Sequence, residues 1–200
     1  MLYYERKLKK RGFEIIIGVD EAGRGPLAGP VVAAAAALKS LRFKNRIDDS
    51  KKLTSLSREK AFREIAKKSV FGIGIISERV IDRINIHEAT KLAMKEAIDS
   101  LIDRLDPQGR GRIHIIVDGN MSLDVAFPCT SIVKGDAKSK SIASASILAK
   151  VTRDRIMNFC DKLYPEYGLA RHKGYPTKEH RAALKKLGPS RIHRKSFAGV

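Results

Sequence analysis

The chain has 200 residues, 40 Lys and Arg against 22 Asp and Glu, a formal net charge of +18 and 43% hydrophobic residues. That length fits one domain spanning 1–200, and the apolar share fits a packed core, which excludes a disordered chain. The charge excess points to a polyanionic partner, most simply nucleic acid held in a salt-dependent way, against the plainer reading of a solubility surface.

In chain order, Met1 to Gly12 is charged and lacks the apolar centre of a secretory signal. Residues 13–20 read as a buried strand, and 31–38, bounded by Gly29-Pro30, as a second. A basic loop from Lys39 to Lys52 leads to a helix from about Ser57 to Lys68. Residues 70–77 form a third strand. Residues 85–105 carry apolar side chains at helical spacing, with Asn85 as cap and Asp106-Pro107-Gln108-Gly109 as breaker. Residues 113–118 are a fourth strand, 129–134 a short fifth, 138–162 a long helix and 177–187 a last one. The short step between the first two strands implies an antiparallel start, so the class is α/β with a mixed sheet flanked by helices. The core covers about 13–165. A basic, helical C-terminal flank covers about 166–200, where 171–200 holds nine Lys and Arg and one acid, Glu179. No apolar run reaches membrane-spanning length. Cys129 and Cys160 lack metal-ligand spacing and read as packing residues of a protein in a reducing cytoplasm.

The chemistry concentrates at strand ends. Asp20 and Glu21 close the first strand and Asp118 closes the fourth, where an open sheet places its ligands. Asp136 precedes the long helix. Alone, Asp118 reads as a turn former and Asp136 as a loop acid. Together with adjacent Asp20 and Glu21, whose repulsion calls for a counter-charge, they read as a carboxylate site for two ions of Mg²⁺ or Mn²⁺. Asp154 is a rival fourth acid, but Arg153 and Arg155 beside it supply an ion pair. Gly23, Arg24 and Gly25 match a dinucleotide fingerprint, which Pro26 and Pro30 discount because no helix starts there. The glycines instead let backbone approach an anionic ligand. Lys51 could hold a phosphate or stand in solvent. Lys150 and Arg153 could face solvent or phosphate. The serines and alanines of 139–149 read as close helix packing. Tyr175, in His172-Lys173-Gly174-Tyr175, could stack on a nucleotide or sit in the core. A catalytic nuclease and a non-catalytic basic RNA-binding protein both suit the charge, but only the first has use for acids in its groove.

In their order these motifs resemble the ribonuclease HII family. The resemblance rests on Val19 to Pro26, Asp49-Ser50-Lys51-Lys52-Leu53, Asn85 to Ala89, Val117-Asp118-Gly119, Lys134 to Lys138, Ala145 to Val151 with Arg153-Asp154, His172 to Tyr175 and His193 to Phe197. It implies an RNase H-like sheet, cleavage of the RNA strand in RNA–DNA hybrids to 5′-phosphate and 3′-hydroxyl ends, and nicking 5′ of single ribonucleotides in duplex DNA. It maps the catalytic and metal-binding acids onto Asp20, Glu21, Asp118 and Asp136, with Asp20 bridging two ions. By the same resemblance Gly23-Arg24-Gly25 reads the ribose 2′-hydroxyl, Tyr175 packs on the next deoxyribose and Lys51 lies near the backbone phosphates. Asp48 and Pro176 depart from the pattern, where asparagine and glycine are common. The extra N-terminal domain of the related HIII type is not expected, Ser196 to Val200 shows no clamp-binding motif, and a monomer is expected.

Overall fold

The computed structural model describes residues 1–105 and 111–200, so the expected helix breaker at 106–109 lies outside the described residues. Five strands form one sheet: β1 (Ile15–Ala22), β2 (Val31–Leu38), β3 (Ser69–Ile76), β4 (Ile113–Asp118) and β5 (Cys129–Ile132), in the order β3-β2-β1-β4-β5. β1 pairs with β2, and β2 with β3, antiparallel; β4 is parallel to both β1 and β5. The mixed sheet with an antiparallel start is thus the architecture present.

The helices are α1 (Tyr3–Lys10), α2 (Ser55–Lys68), α3 (Glu78–Ile102), α4 (Lys140–Leu163), α5 (Leu169–His172) and α6 (Lys178–Leu187). α2 starts two residues earlier than its sequence suggests, because Thr54, not Ser57, accepts the Ser57 N–H at 3.2 Å. Asn85 does cap a helix, accepting from the backbone N–H groups of His87 and Glu88 at 2.8 and 3.1 Å. A further stretch, Glu78 to Ile84, precedes it and joins through the kink at Asn85, whose φ is 65°. α1 is a helix that its highly charged sequence does not announce. Glu5 fixes it by accepting from the Ser139 hydroxyl (2.7 Å) and the Ser141 N–H (2.9 Å) at the start of α4.

Two layers cover the sheet. Ala33, Ala35 and Ala37 meet Ala93 and Ala97 of α3 on one face; Ala34 and Ala36 meet α2 and α4 on the other. This alternation is the period of two expected of a strand, and alanine, a helix former by propensity, serves here because it admits helices on both sides. The closest approach is at Gly18. A Cβ there would lie 2.2 Å from the Ser141 carbonyl carbon, so no other residue fits without displacing α4. The C-terminal part packs Leu169 and Leu184 against Leu27, Ala28 and Met157. Its last turn is tied to α3 by Asp82, which accepts from Lys195 N, Ser196 N and the Ser196 hydroxyl. No helix among the described residues is long and apolar enough to cross a membrane.

Candidate active site

The register of β1 and β4 builds the site. Val19 pairs with Val117, which sets Asp20 beside Asp118 on the face that carries α4. The turn before α4 supplies the third acid. Lys134 takes a left-handed conformation (φ 56°), and the turn Gly135–Ala137 folds back so that Gly135 N–H donates to Asp118 Oδ1 at 2.6 Å. Carboxylate oxygens of Asp20, Asp118 and Asp136 then lie within 4.8 Å of one another. Glu21, the fourth acid expected, is not in that group. It follows Asp20 on the opposite face of the pleat, and its carboxylate lies 3.5 Å from the Arg24 guanidinium.

Burial and mutual repulsion dominate the electrostatics. Asp20 is 5% exposed, and its pKa is pushed well above the carboxylate range by desolvation, then by Glu21 and Asp118. A hydrogen bond from Ser146 opposes this, and the Ser146 and Ser50 hydroxyls are 3.0 Å apart. Desolvation also raises Glu21, against the pull of Arg24, and raises Asp136, with Asp118 and Asp49 adding to it. Lys51 stands in the turn Ser50–Lys52, and its backbone N–H donates to the capping Asp49 carboxylate at 3.0 Å. Burial works against its charge, but Asp49, Asp20, Asp136 and Asp118 together hold its pKa above the usual lysine range. Three converging oxygen donors that repel one another fit a hard divalent cation, which removes the repulsion.

Beyond β1 the chain turns through Gly23-Arg24-Gly25. Gly23 has φ 102°, a conformation that a side chain rarely adopts, and a Cβ there would meet Arg153 at 2.1 Å. Two fully buried arginines hold this loop by its carbonyls. Arg153 donates to Pro30, Ala28 and Lys173, each at 3.0 Å. Arg194 donates to Gly29 (2.9 Å), Arg24 (3.0 Å) and Gly23 (2.6 Å). Desolvation lowers the pKa of both, that of Arg194 to about 9. Arg153 therefore faces neither solvent nor an open phosphate groove, which corrects the sequence expectation. Asp154 does form ion pairs, but with Lys150 (2.7 Å) and Arg58 (3.8 Å). Tyr175 is not a core residue. It is 41% exposed, and its ring edge lies 3.8 Å from where a Gly25 Cβ would stand. Lys150 and Arg153 each sit 6.0 Å from its ring centre.

The structure brings Asp20, Asp118 and Asp136 together, sets Lys51 within reach of their charge and packs Tyr175 beside Gly25, while Glu21 turns to Arg24. Sequence reasoning misses Ser50 and Ser146 at Asp20, and the anchoring role of Arg153 and Arg194. The signals available for the last were Arg153 beside the Ala145 to Val151 motif and Arg194 within the His193 to Phe197 motif, to which no anchoring role attaches without the fold.

A family model described as Ribonuclease HII matches residues 17–200. A Ribonuclease HII from Acetivibrio thermocellus is 53% identical over 198 residues, covering 98% of this chain and 75% of that protein. One from Syntrophotalea carbinolica is 45% identical over 200 residues, covering 100% and 92%. Among solved structures, the ribonuclease H2 of Pyrococcus horikoshii OT3 superposes with a TM-score of 0.73 at 27% identity, covering 92% of this chain and 94% of that one. The RNase HII in a complex with PCNA from Archaeoglobus fulgidus gives 0.74 at 27%, covering 92% and 95%. On the match to that family model over residues 17–200 and the identity to these relatives, this chain belongs to the ribonuclease HII family and is a ribonuclease H, an enzyme acting on RNA–DNA hybrids.

Proposed function

We propose that the enzyme also nicks duplex DNA on the 5′ side of a single embedded ribonucleotide, hydrolysing the phosphodiester to 5′-phosphate and 3′-hydroxyl ends. The observation that carries this is the convergence of Asp20, Asp118 and Asp136 in the region that also holds Gly25 and Tyr175. Asp20, Asp118 and Asp136, with Glu21 completing the set, would hold two divalent cations, Mg²⁺ or Mn²⁺. Such a pair, when bound, supplies positive charge to the attacking and leaving oxygens. The backbone of Gly23-Arg24-Gly25, held from behind by Arg194 at the Gly23 and Arg24 carbonyls, presents polar groups to a ribose 2′-hydroxyl, the feature that separates RNA from DNA. Tyr175 packs on the sugar of the following deoxynucleotide. Lys51 steadies the backbone phosphate. The chain is taken to act as a monomer in the cytoplasm, where its free Cys129 and Cys160 stay reduced. A purely RNA-binding role gives no reason to bury Asp20 against Glu21 and Asp118.

The test is cleavage of a DNA duplex bearing one ribonucleotide, with Mg²⁺, Mn²⁺ or EDTA, for the native enzyme and for Asp118→Asn. A metal-dependent nick 5′ of the ribonucleotide, lost in the variant while duplex binding persists, is the outcome expected. Cleavage of long hybrids without that nick would remove the junction reading, and full turnover by Asp118→Asn would remove the carboxylate site.

A further inference from the structure

Three histidines of the C-terminal part are buried and are given no role by the chemistry above. His180 is 0%, His193 2% and His172 8% exposed. Burying an imidazole costs free energy unless its two nitrogens find partners, and a phenylalanine would fill the same space without that demand. The partners here are directional. The Ser190 main-chain N–H can only donate, and it points at His193 Nδ1 at 3.0 Å. The proton of neutral His193 therefore sits on Nε2, which faces His180 Nε2 at 3.0 Å. That nitrogen must accept, so His180 carries its proton on Nδ1, and Nδ1 faces the Tyr175 carbonyl at 3.0 Å. The third ring is fixed in the same way. Gly174 N–H donates to His172 Nδ1 (3.2 Å), which leaves His172 Nε2 to donate to the Tyr167 carbonyl at 2.9 Å. The His172 and His180 rings stack at 4.4 Å.

The bond between His193 and His180 thus has one donor and one acceptor; at its ends the Ser190 hydroxyl also lies 2.8 Å from His193 Nδ1, and the Tyr175 carbonyl also accepts from Thr177 N–H at 2.8 Å. The Tyr175 N–H donates to the His172 carbonyl at 2.9 Å, so the peptide units on both sides of Tyr175 are held by this group. The neighbouring Gly174 carbonyl accepts from Leu27 N at 2.8 Å, which ties the same segment to the strand end beyond Gly25. The exposed tyrosine ring sits 6.0 Å from the cations of Lys150 and Arg153. Burial and the neighbouring His180 push His193 down to about 4, in keeping with an uncharged chain near neutrality.

We propose that His193 and His180 form a hydrogen-bonded imidazole relay, with His172 stacked against His180, that positions Tyr175 against the Gly23–Gly25 loop, which makes them positioning residues for the RNA-to-DNA junction. This rests on the junction reading of Tyr175 given above. The test compares kcat/KM on a duplex with one ribonucleotide against kcat/KM on a long hybrid. His193→Phe keeps a ring but removes the donor; His193→Gln returns an N–H. The ratio is expected to fall about tenfold in His193→Phe and to stay within about threefold of the native value in His193→Gln. A folded His193→Phe with an unchanged ratio, or a His193→Gln as impaired as it, overturns the relay. Tyr175→Ala is measured alongside. If it lowers the ratio and His193→Phe does not, the relay falls and the tyrosine reading stands; if it leaves the ratio unchanged, both fall. Should His193→Phe fail to fold, ¹⁵N spectra of the native protein near neutral pH decide. Neutral rings protonated on Nε2 in His193 and His172 and on Nδ1 in His180 uphold the relay, and any other tautomer in His193 or His180 overturns it.

Discussion

Asp20 is held in a setting that opposes its own charge. Its pKa is raised in the folded chain by burial, then by Glu21 and Asp118, and the folded state therefore binds its proton more tightly than the unfolded state does. The stability contributed by the protonated group is fully present below the ordinary carboxylate range and is lost as pH rises through the raised value. Asp20→Asn should consequently raise the melting temperature in EDTA near neutral pH, by about 2–4 °C for each kcal/mol of repulsion removed, while abolishing hybrid cleavage. A lower melting temperature in that variant would show that the Ser146 hydrogen bond outweighs the repulsion. At this scale the acids were legible because adjacent carboxylates after an apolar run violate the pattern of a buried strand. Arg153 and Arg194 were not, because their partners are backbone carbonyls, which leave no complementary residue in the sequence to find, and the histidines were not, because His180 and His193 pair with each other and otherwise with backbone groups.

Strand register converts those residues into a site. The Val19–Val117 pairing was inferable only in kind, from parallel strands ending in acids; its value required the sheet. The boundaries of β2, β3 and α4 lay within about two residues of expectation, since alternation, Gly-Pro punctuation and caps are local signals. α1 and the first part of α3 escaped because a tertiary contact, Glu5 on the start of α4, and a kink at Asn85 define them. In the loop after β1 the Arg194 guanidinium alone reaches three carbonyls, those of Gly23, Arg24 and Gly29. In Arg194→Lys the charge remains, but a single ammonium cannot reproduce that fork. Stability is expected to drop by about 2–3 kcal/mol in denaturant titration, from buried carbonyls left without donors. A loss below about 0.5 kcal/mol would mean that the loop finds other donors.

At the scale of the molecule, two acids of the site and the basic C-terminal part lie in different settings. Asp20 and Asp136 are buried, whereas Lys178, Arg181, Lys185, Lys186, Arg191 and Lys195 of the C-terminal part are all exposed. Affinity and chemistry are thus separable. Binding of an uncleaved hybrid should weaken at least about tenfold between roughly 50 and 200 mM salt, with no preference among base sequences. A flat salt response would argue that the basic surface serves solubility instead. The contact at Gly18 gives this arrangement its mechanics. Where α4 crosses β1 there is no side chain between the two backbones, hence no rotamer whose change could absorb a displacement. Strand and helix form a stiff joint, and Asp20 and Ser146 ride on it as one body. The amides of β1 around this joint should therefore exchange with solvent only when the entire fold opens.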